Sequence, residues 1–230
     1  MALFYVPTVA QGERCLDAEE ARHAVKVLRL KEGSSIKITD GLGHFYDCRL
    51  ENASSSKPRF EILNEEFIDK VRPHVHLAVS PTKNIDRIEW LVEKATELGV
   101  DEITLMHCEH TERGRINLER LQKLAISAMK QSQQAWLPTV RDVTLFENVV
   151  VTSASQKFIA FVDEANPLKL SEAIKKGKDS LILIGPEGDF SKAELALALQ
   201  HQFIKVSLGS TRLRTETASL AACVLLVNLV

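Results

Sequence analysis

The sequence predicts an α/β protein in two parts, a small β-barrel over residues 1–70 and a parallel-sheet α/β domain over residues 73–230. Three observations predict it. Short alternating strands with tight turns and one helix fill the first 70 residues. From residue 74 the pattern changes to strand, helix, strand, helix, which is the rhythm of a parallel sheet. Several strands of the second part are nearly all apolar, as they must be when both sheet faces are covered.

The first part opens with LFYV at residues 3–6. Asp17 then caps a helix, with Glu20 three positions on to complete a capping box and Ala21, Val25 and Leu28 as the apolar stripe. SIKITD (35–40), FYDCRL (45–50) and RFEILN (59–64) follow as strands, separated by Gly41, Gly43, a serine run and Pro58. Residues 71–73, VRP, form the linker.

In the second part HVHLAVS (74–80) is a strand, and Asn84 caps a helix carrying Ile88, Leu91, Val92, Ala95 and Leu98 on one face until Gly99 ends it. EITLMH (102–107) is the next strand. Asn117 starts a long helix with Leu118, Leu121, Leu124, Ala125, Ala128 and Met129 on one face, closed before Pro138. KFIAFVD (157–163), SLILIG (180–185) and FIKVSLG (203–209) are buried parallel strands. The helix over 219–230 is apolar almost all round, which predicts that it is buried.

Composition narrows the class of protein. Hydrophobic residues make up 45% and charged residues 26%, an ordinary globular balance. No apolar run is long enough to span a bilayer, and no signal peptide is evident, so a cytoplasmic location without membrane contact is expected. The four cysteines, Cys15, Cys48, Cys108 and Cys223, form no C-x-x-C pair and read as reduced thiols. His107, Cys108 and His110 form H-C-x-H, but no second ligand pair accompanies them, so no metal is expected. The net charge of −2 conceals two cationic stretches. One holds Arg22, Lys26, Arg29, Lys31 and Lys37 against Glu32. The other holds Arg113, Arg115, Arg120, Lys123, Lys130 and Arg141 against Glu112 and Glu119. Both are compatible with phosphate contacts and equally with solvated helix faces.

Parallel sheets bind ligands at the carboxyl ends of their strands. Two such ends are unusual here. The strand at 180–185 runs into GPEGD, where Gly185 and Gly188 permit close approach, Pro186 stiffens the loop and Glu187 is displayed. Ser191 and Glu194 then make a capping box for the next helix. The second end is LG at 208–209, followed by STRLRTETA, in which Thr215 or Thr217 can cap the final helix. Charged residues at the start of a buried helix need partners, which points to a salt-bridged cap or a ligand pocket. Neither loop is a G-x-G-x-x-G or a P-loop, which argues against a standard NAD or ATP site.

GPEG with a short helix after it, then LG-x-x-x-LRTETA, resembles the SPOUT class of methyltransferases. More narrowly, HAVKVLRLKEG (23–33), DG-x-G (40–43), EWLVEKATELGV (89–100), KQS (130–132), GPEG and LRTETA resemble, in order, the RsmE family, which methylates N3 of a uridine in the decoding region of small-subunit 16S ribosomal RNA. The resemblance implies a SPOUT-type sheet with a deep trefoil knot and a PUA-like RNA-binding barrel before it. It implies S-adenosyl-L-methionine as cofactor, held by Phe161, Val162, Gly185, Pro186, Glu187, Gly188, Leu208, Gly209, Leu213, Arg214, Thr215 and Ala218. Arg214 is then the cation that stabilises charge on the target base, with Glu187 or Glu216 as proton acceptor or orienting group. Arg22, His23, Lys26, Arg29, Lys31, Arg113 and Arg115 become the RNA contacts, the partner being 16S rRNA or the assembled small subunit, and the enzyme a homodimer. The chain departs from the family's usual residues at Asp189, where a second glycine is common, and at Lys130, Gln134, Ser210 and Thr211. Two rival readings stand beside this one: an RNA-binding or ribosome-assembly protein of the same fold without catalysis, and a metabolic α/β enzyme using a nucleotide cofactor.

Overall fold

The structure, a computed structural model, describes residues 1–53, 56–112, 116–163 and 168–229. The chain divides into two compact units, Met1–Lys70 with Met129–Leu137, and Val71–Ala128 with Pro138–Val230.

The first unit is built on a four-stranded sheet of order β1 (Leu3–Tyr5), β2 (Ser35–Thr39), β3 (His44–Asn52) and β4 (Arg59–Phe67). The β1–β2 pair is parallel and the others antiparallel. Alternation sets which side chains turn inward: Ile36, Ile38, Tyr46, Cys48, Leu50 and Phe60 are buried with Phe4 and Leu16. Helix α1 (Ala18–Arg22) continues into a π-helical turn over His23–Val27. That turn advances the chain by more residues than an α-helical one. The stripe expected at Ala21, Val25 and Leu28 therefore loses phase, leaving Leu28 exposed and burying Ala24.

The predicted capping box of α1 forms by half. Asp17 Oδ1 accepts from the Glu20 N–H at 2.8 Å, but the Glu20 carboxylate does not return to the cap. It accepts instead from the Tyr5 N–H at 3.2 Å and from Lys130 Nζ at 2.5 Å. Glu20 is buried, and a buried carboxylate is stabilised far more by an ammonium than by a cap amide.

The second unit carries β5 (Val75–Val79), α2 (Ile85–Leu98), β6 (Glu102–His107), α3 (Leu118–Gln131, whose end falls in the first unit), β7 (Thr139–Leu145) and α4 (Phe146–Val150). It continues with β8 (Gln156–Ala160), α5 (Leu170–Ala173), β9 (Ser180–Ile184), α6 (Lys192–Gln200), β10 (Ile204–Val206) and α7 (Thr215–Leu229). The sheet is parallel throughout, in the order β10-β8-β9-β5-β6-β7. Every residue of β5 and β9 is buried, as their apolar runs demand. Helix α2 has the expected ends, with Asn84 Oδ1 accepting from the Asp86 N–H at 3.0 Å and Gly99 left-handed at φ 88°.

Three expectations for the second unit are corrected as well. The strand β7 has no counterpart in the sequence reading, because TVRDVTL sits at the sheet edge and buries Val140 alone among its residues. The last helix begins at Thr215, four residues earlier than its apolar run, and the Thr215 hydroxyl donates to the Gly185 carbonyl at 3.2 Å instead of capping. That helix is also not buried all round. One face, through Ser219, Ala222, Cys223 and Leu226, is packed, while Val224 on the other is 44% exposed.

Candidate active site

Three loops at the carboxyl ends of β8, β9 and β10, together with the start of α7, enclose a cavity of about 1030 Å³. Local contacts fix each wall. The Phe161 N–H donates to the Val206 carbonyl at 3.2 Å, joining the ends of β8 and β10. The Val162 N–H donates to Asp189 Oδ2 at 3.2 Å, joining the end of β8 to the loop after β9. Thr215 joins that same loop to α7 through Gly185.

The loop after β9 packs closely. A Cβ on Gly185 would meet the Phe190 ring at 3.1 Å, and one on Gly188 would lie 3.3 Å from His110 Cβ. The complete Ser191–Glu194 capping box holds its far end, and Glu194 Oε1 also accepts from the Glu109 N–H at 2.8 Å. His110 Nδ1 donates to the Asp189 carbonyl at 3.0 Å, and this bond raises the pKa of the His110 imidazole.

Asp189 is the departure that the structure makes physically intelligible. Its φ is 63°, in the left-handed region where glycine is at ease and aspartate is among the better-tolerated side chains. Its carboxylate satisfies two loop amides, Val162 N–H and Phe190 N–H, the second at 2.8 Å. Burial raises its pKa, and those amides together with Arg212 and His110 oppose the rise.

Of the twelve positions expected to hold cofactor, all but Gly188 line this cavity. Gly188 turns toward His110 instead. Arg214 lines the cavity, is exposed, and has no ion pair among the described residues. Glu187 lines it as well, whereas Glu216 lies behind, 8% exposed, with Oε2 buried and without a hydrogen-bond partner among the described residues. The sequence reading missed Arg87. This residue of the first turn of α2 lines the cavity, with Nη1 3.7 Å from Glu187 Oε1 and 3.5 Å from Glu216 Oε1. The signal was present in the sequence only as a cation at the end of a helix where the dipole disfavours it.

The two basic stretches differ once folded. Arg22, Lys26, Arg29 and Lys31 are exposed and carry no ion pair among the described residues, and His23 is half-buried against Phe4. In the second stretch Arg120 pairs with Glu89, Lys123 with Glu119, Lys130 with Glu20 and Arg141 with Glu102. Arg113 and Arg115 lie outside the described residues. No group of three His, Cys, Asp or Glu side chains converges as a metal site among the described residues.

A parallel sheet with a cavity of loop backbone at its carboxyl edge, preceded by a small β unit, defines a class. Residues 70–227 match the RNA methyltransferase domain family, residues 16–63 match the RNA methyltransferase PUA domain family, and the chain belongs to these families. Within the class the chain is an RsmE-family protein. It is 28% identical over 233 residues to ribosomal RNA small subunit methyltransferase E of Mycobacterium tuberculosis, covering 96% of this chain and 88% of that one. It is 27% identical to the Bacillus subtilis protein of the same name, covering 90% and 86%. Among solved structures, a Porphyromonas gingivalis protein described as a probable rRNA-methyltransferase is 42% identical with a TM-score of 0.91, covering 97% of this chain and 95% of that one. Ribosomal RNA small subunit methyltransferase E of Neisseria gonorrhoeae, bound to S-adenosyl methionine, is 29% identical with a TM-score of 0.85 over the same shares of the two chains.

Proposed function

We propose that this chain is an S-adenosylmethionine-dependent methyltransferase that modifies N3 of a uridine in 16S ribosomal RNA, the uracil numbered 1498 in the usual numbering. The observation that carries the proposal is the cavity walled by GPEGD and LRT. Its size is that of a small-molecule site, and its walls are backbone-rich loops with the apolar side chains of Phe161, Leu208 and Leu213. Backbone N–H and C=O groups suit an adenine edge, and a site of this kind fits the adenosine of the cofactor. Phe161, Val162, Gly185 to Glu187, Leu208, Gly209, Leu213 to Thr215 and Ala218 hold it in this reading.

When bound, the cofactor supplies an already activated methyl group. The protein's share is position, charge and one proton. Arg214, exposed at the cavity, stabilises the negative charge that spreads over the carbonyl oxygens of a uracil losing its N3 proton. Glu187 or Glu216 accepts that proton. N3 lies on the pairing edge, so the base enters unpaired or flipped out. The N-terminal unit is the RNA-binding part, with Arg22, His23, Lys26, Arg29 and Lys31 toward phosphates, and residues 73–230 carry out the transfer. The loops are threaded as a trefoil knot, the enzyme is cytoplasmic, and two copies pair through the open apolar face of α7 around Val224.

The test is methylation of purified small ribosomal subunits with labelled cofactor, followed by mapping of the modified base. The expected product is a single N3-methyluridine in the decoding region. Methylation at any other atom overturns the assignment. Failure to bind S-adenosylmethionine in a titration would leave the RNA-binding reading without catalysis.

A further inference from the structure

Arg87 has no assigned role, and it stands on the cavity wall. Asn84 caps α2, so Arg87 lies in the first turn of that helix. A cation there opposes the helix dipole, so helix stability does not account for it. Its Nη1 lies 3.7 Å from Glu187 Oε1, in the loop after β9, and 3.5 Å from Glu216 Oε1, in the first turn of α7. Both separations exceed the roughly 2.7–2.9 Å of a charge-assisted hydrogen bond. The two carboxylates hold the guanidinium in place by charge without occupying its N–H donors. Among the described residues the Arg87 side chain makes no hydrogen bond.

The cations that line the cavity are Arg87, Lys169, Arg212 and Arg214. Lys169, Arg212 and Arg214 are exposed, so water competes for their charge. The Arg87 side chain is 32% exposed and is held from two sides. An anion gains more at such a group, because less solvent screens the pair and less side-chain freedom is lost. A guanidinium presents its donors as a planar fork, which matches the two oxygens of a carboxylate or a phosphate. S-adenosylmethionine has no phosphate. Its sulfonium and its ammonium are positive, and its sole negative group is the α-carboxylate of its amino-acid end. Glu187 and the first turn of α7, which hold Arg87, belong to the same two loops whose backbone walls the cavity.

We propose that Arg87 binds the α-carboxylate of S-adenosylmethionine and so fixes the amino-acid end of the cofactor, while the backbone of the loops holds its adenosine. Glu216 anchors the guanidinium from behind the wall, and Glu187 steadies it from the solvent side. Arg214 stays available for the target base. The proposal rests on the reading of this cavity as the cofactor site. Titration of the wild-type protein with S-adenosylmethionine tests that reading by itself, and the variants then test Arg87 alone.

The experiment is calorimetric titration, without RNA, of full-length wild-type, Arg87→Gln and Arg87→Lys proteins. Each is titrated with S-adenosylmethionine and with decarboxylated S-adenosylmethionine, which keeps both positive groups and lacks the carboxylate. The quantity read is the ratio of the two affinities, in which any effect of the substitution on the rest of the site cancels. From wild type to Arg87→Gln this ratio is expected to fall about 30-fold, the loss typical of a hydrogen-bonded contact between charged groups. The decarboxylated ligand binds that variant about as tightly as it binds the wild type. Arg87→Lys keeps the charge and loses the fork, so its ratio is expected to lie between the other two. A wild-type ratio in Arg87→Gln overturns the proposal. If Arg87→Gln does not fold, a wild-type ratio in Arg87→Lys overturns it. Equal loss of both ligands also overturns it, and makes Arg87 a support of the wall. An unchanged ratio with weakened RNA binding overturns it too, and makes Arg87 a phosphate contact. Wild-type protein that binds neither ligand removes the cofactor reading itself.

Discussion

A single buried imidazole sets one part of how this protein responds to acid. His76 lies on β5, its Nε2 2.8 Å from Thr104 Oγ1, and is 5% exposed. Burial lowers its pKa from 6.5 to about 4, with Glu102 pulling the other way. Between those values the unfolded chain binds a proton that the folded chain refuses. The stability associated with neutral His76 is therefore complete above pH 6.5 and is lost as pH falls toward about 4. The shift corresponds to about 3 kcal/mol. His76→Gln is expected to flatten the slope of unfolding free energy against pH in that window. Equal slopes in the two proteins, measured by denaturant unfolding, would sink the idea. Asp189 and Lys130 teach a related point. Each proves to satisfy specific groups: two loop amides in one case and the buried Glu20 in the other. Neither Asp189–Val162 nor Glu20–Lys130 is visible in sequence spacing, since the partners are 27 and 110 positions apart.

At the scale of elements, pattern and context part company in α7. Its sequence is apolar on every side, so periodicity carries no facial information. Packing against α2, β5 and β9 decides which face is covered. The face left open around Val224 is the one proposed to meet a second copy. Val224→Asp is expected to convert a dimer to a monomer in light scattering while the thermal midpoint falls little, because the side chain is solvent-exposed in the single chain. A dimer that survives the substitution at micromolar concentration would place the interface elsewhere. The π-helical turn after α1 and the edge strand β7 escape a reading of the sequence for different reasons. The first breaks the helical period, and the second has no buried neighbour on its outer side to demand apolar residues.

Across the whole molecule, the distribution of charge matters more than its sum of −2. Folding neutralises the described cations of the second basic stretch with Glu89, Glu119, Glu20 and Glu102, and leaves Arg22, Lys26, Arg29 and Lys31 exposed. Replacing these four by alanine is expected to weaken RNA binding. The slope of log K against log salt should fall by roughly 0.7–0.9 for each phosphate that is no longer neutralised. The same treatment of Arg120, Lys123 and Arg141 is expected to change the slope little. If the second set changes the slope as much as the first, those ion pairs open on binding RNA.

The α/β class, the apolar strands β5 and β9, the capped helices α2 and α6, and the two loops GPEGD and LRT were all legible from residue order, because each rests on neighbours within one turn or one pleat. The ordered motifs also carried the family. What only the tertiary structure decided depends on groups distant in the chain. It placed Arg87 between Glu187 and Glu216, turned Gly188 toward His110, and left one oxygen of Glu216 buried without a donor among the described residues. Local patterns fix elements, since backbone hydrogen bonds and side-chain periodicity act over a few residues. Which charges meet is fixed by how the strand ends converge, and that follows from the strand order β10-β8-β9-β5, which no short stretch of sequence contains.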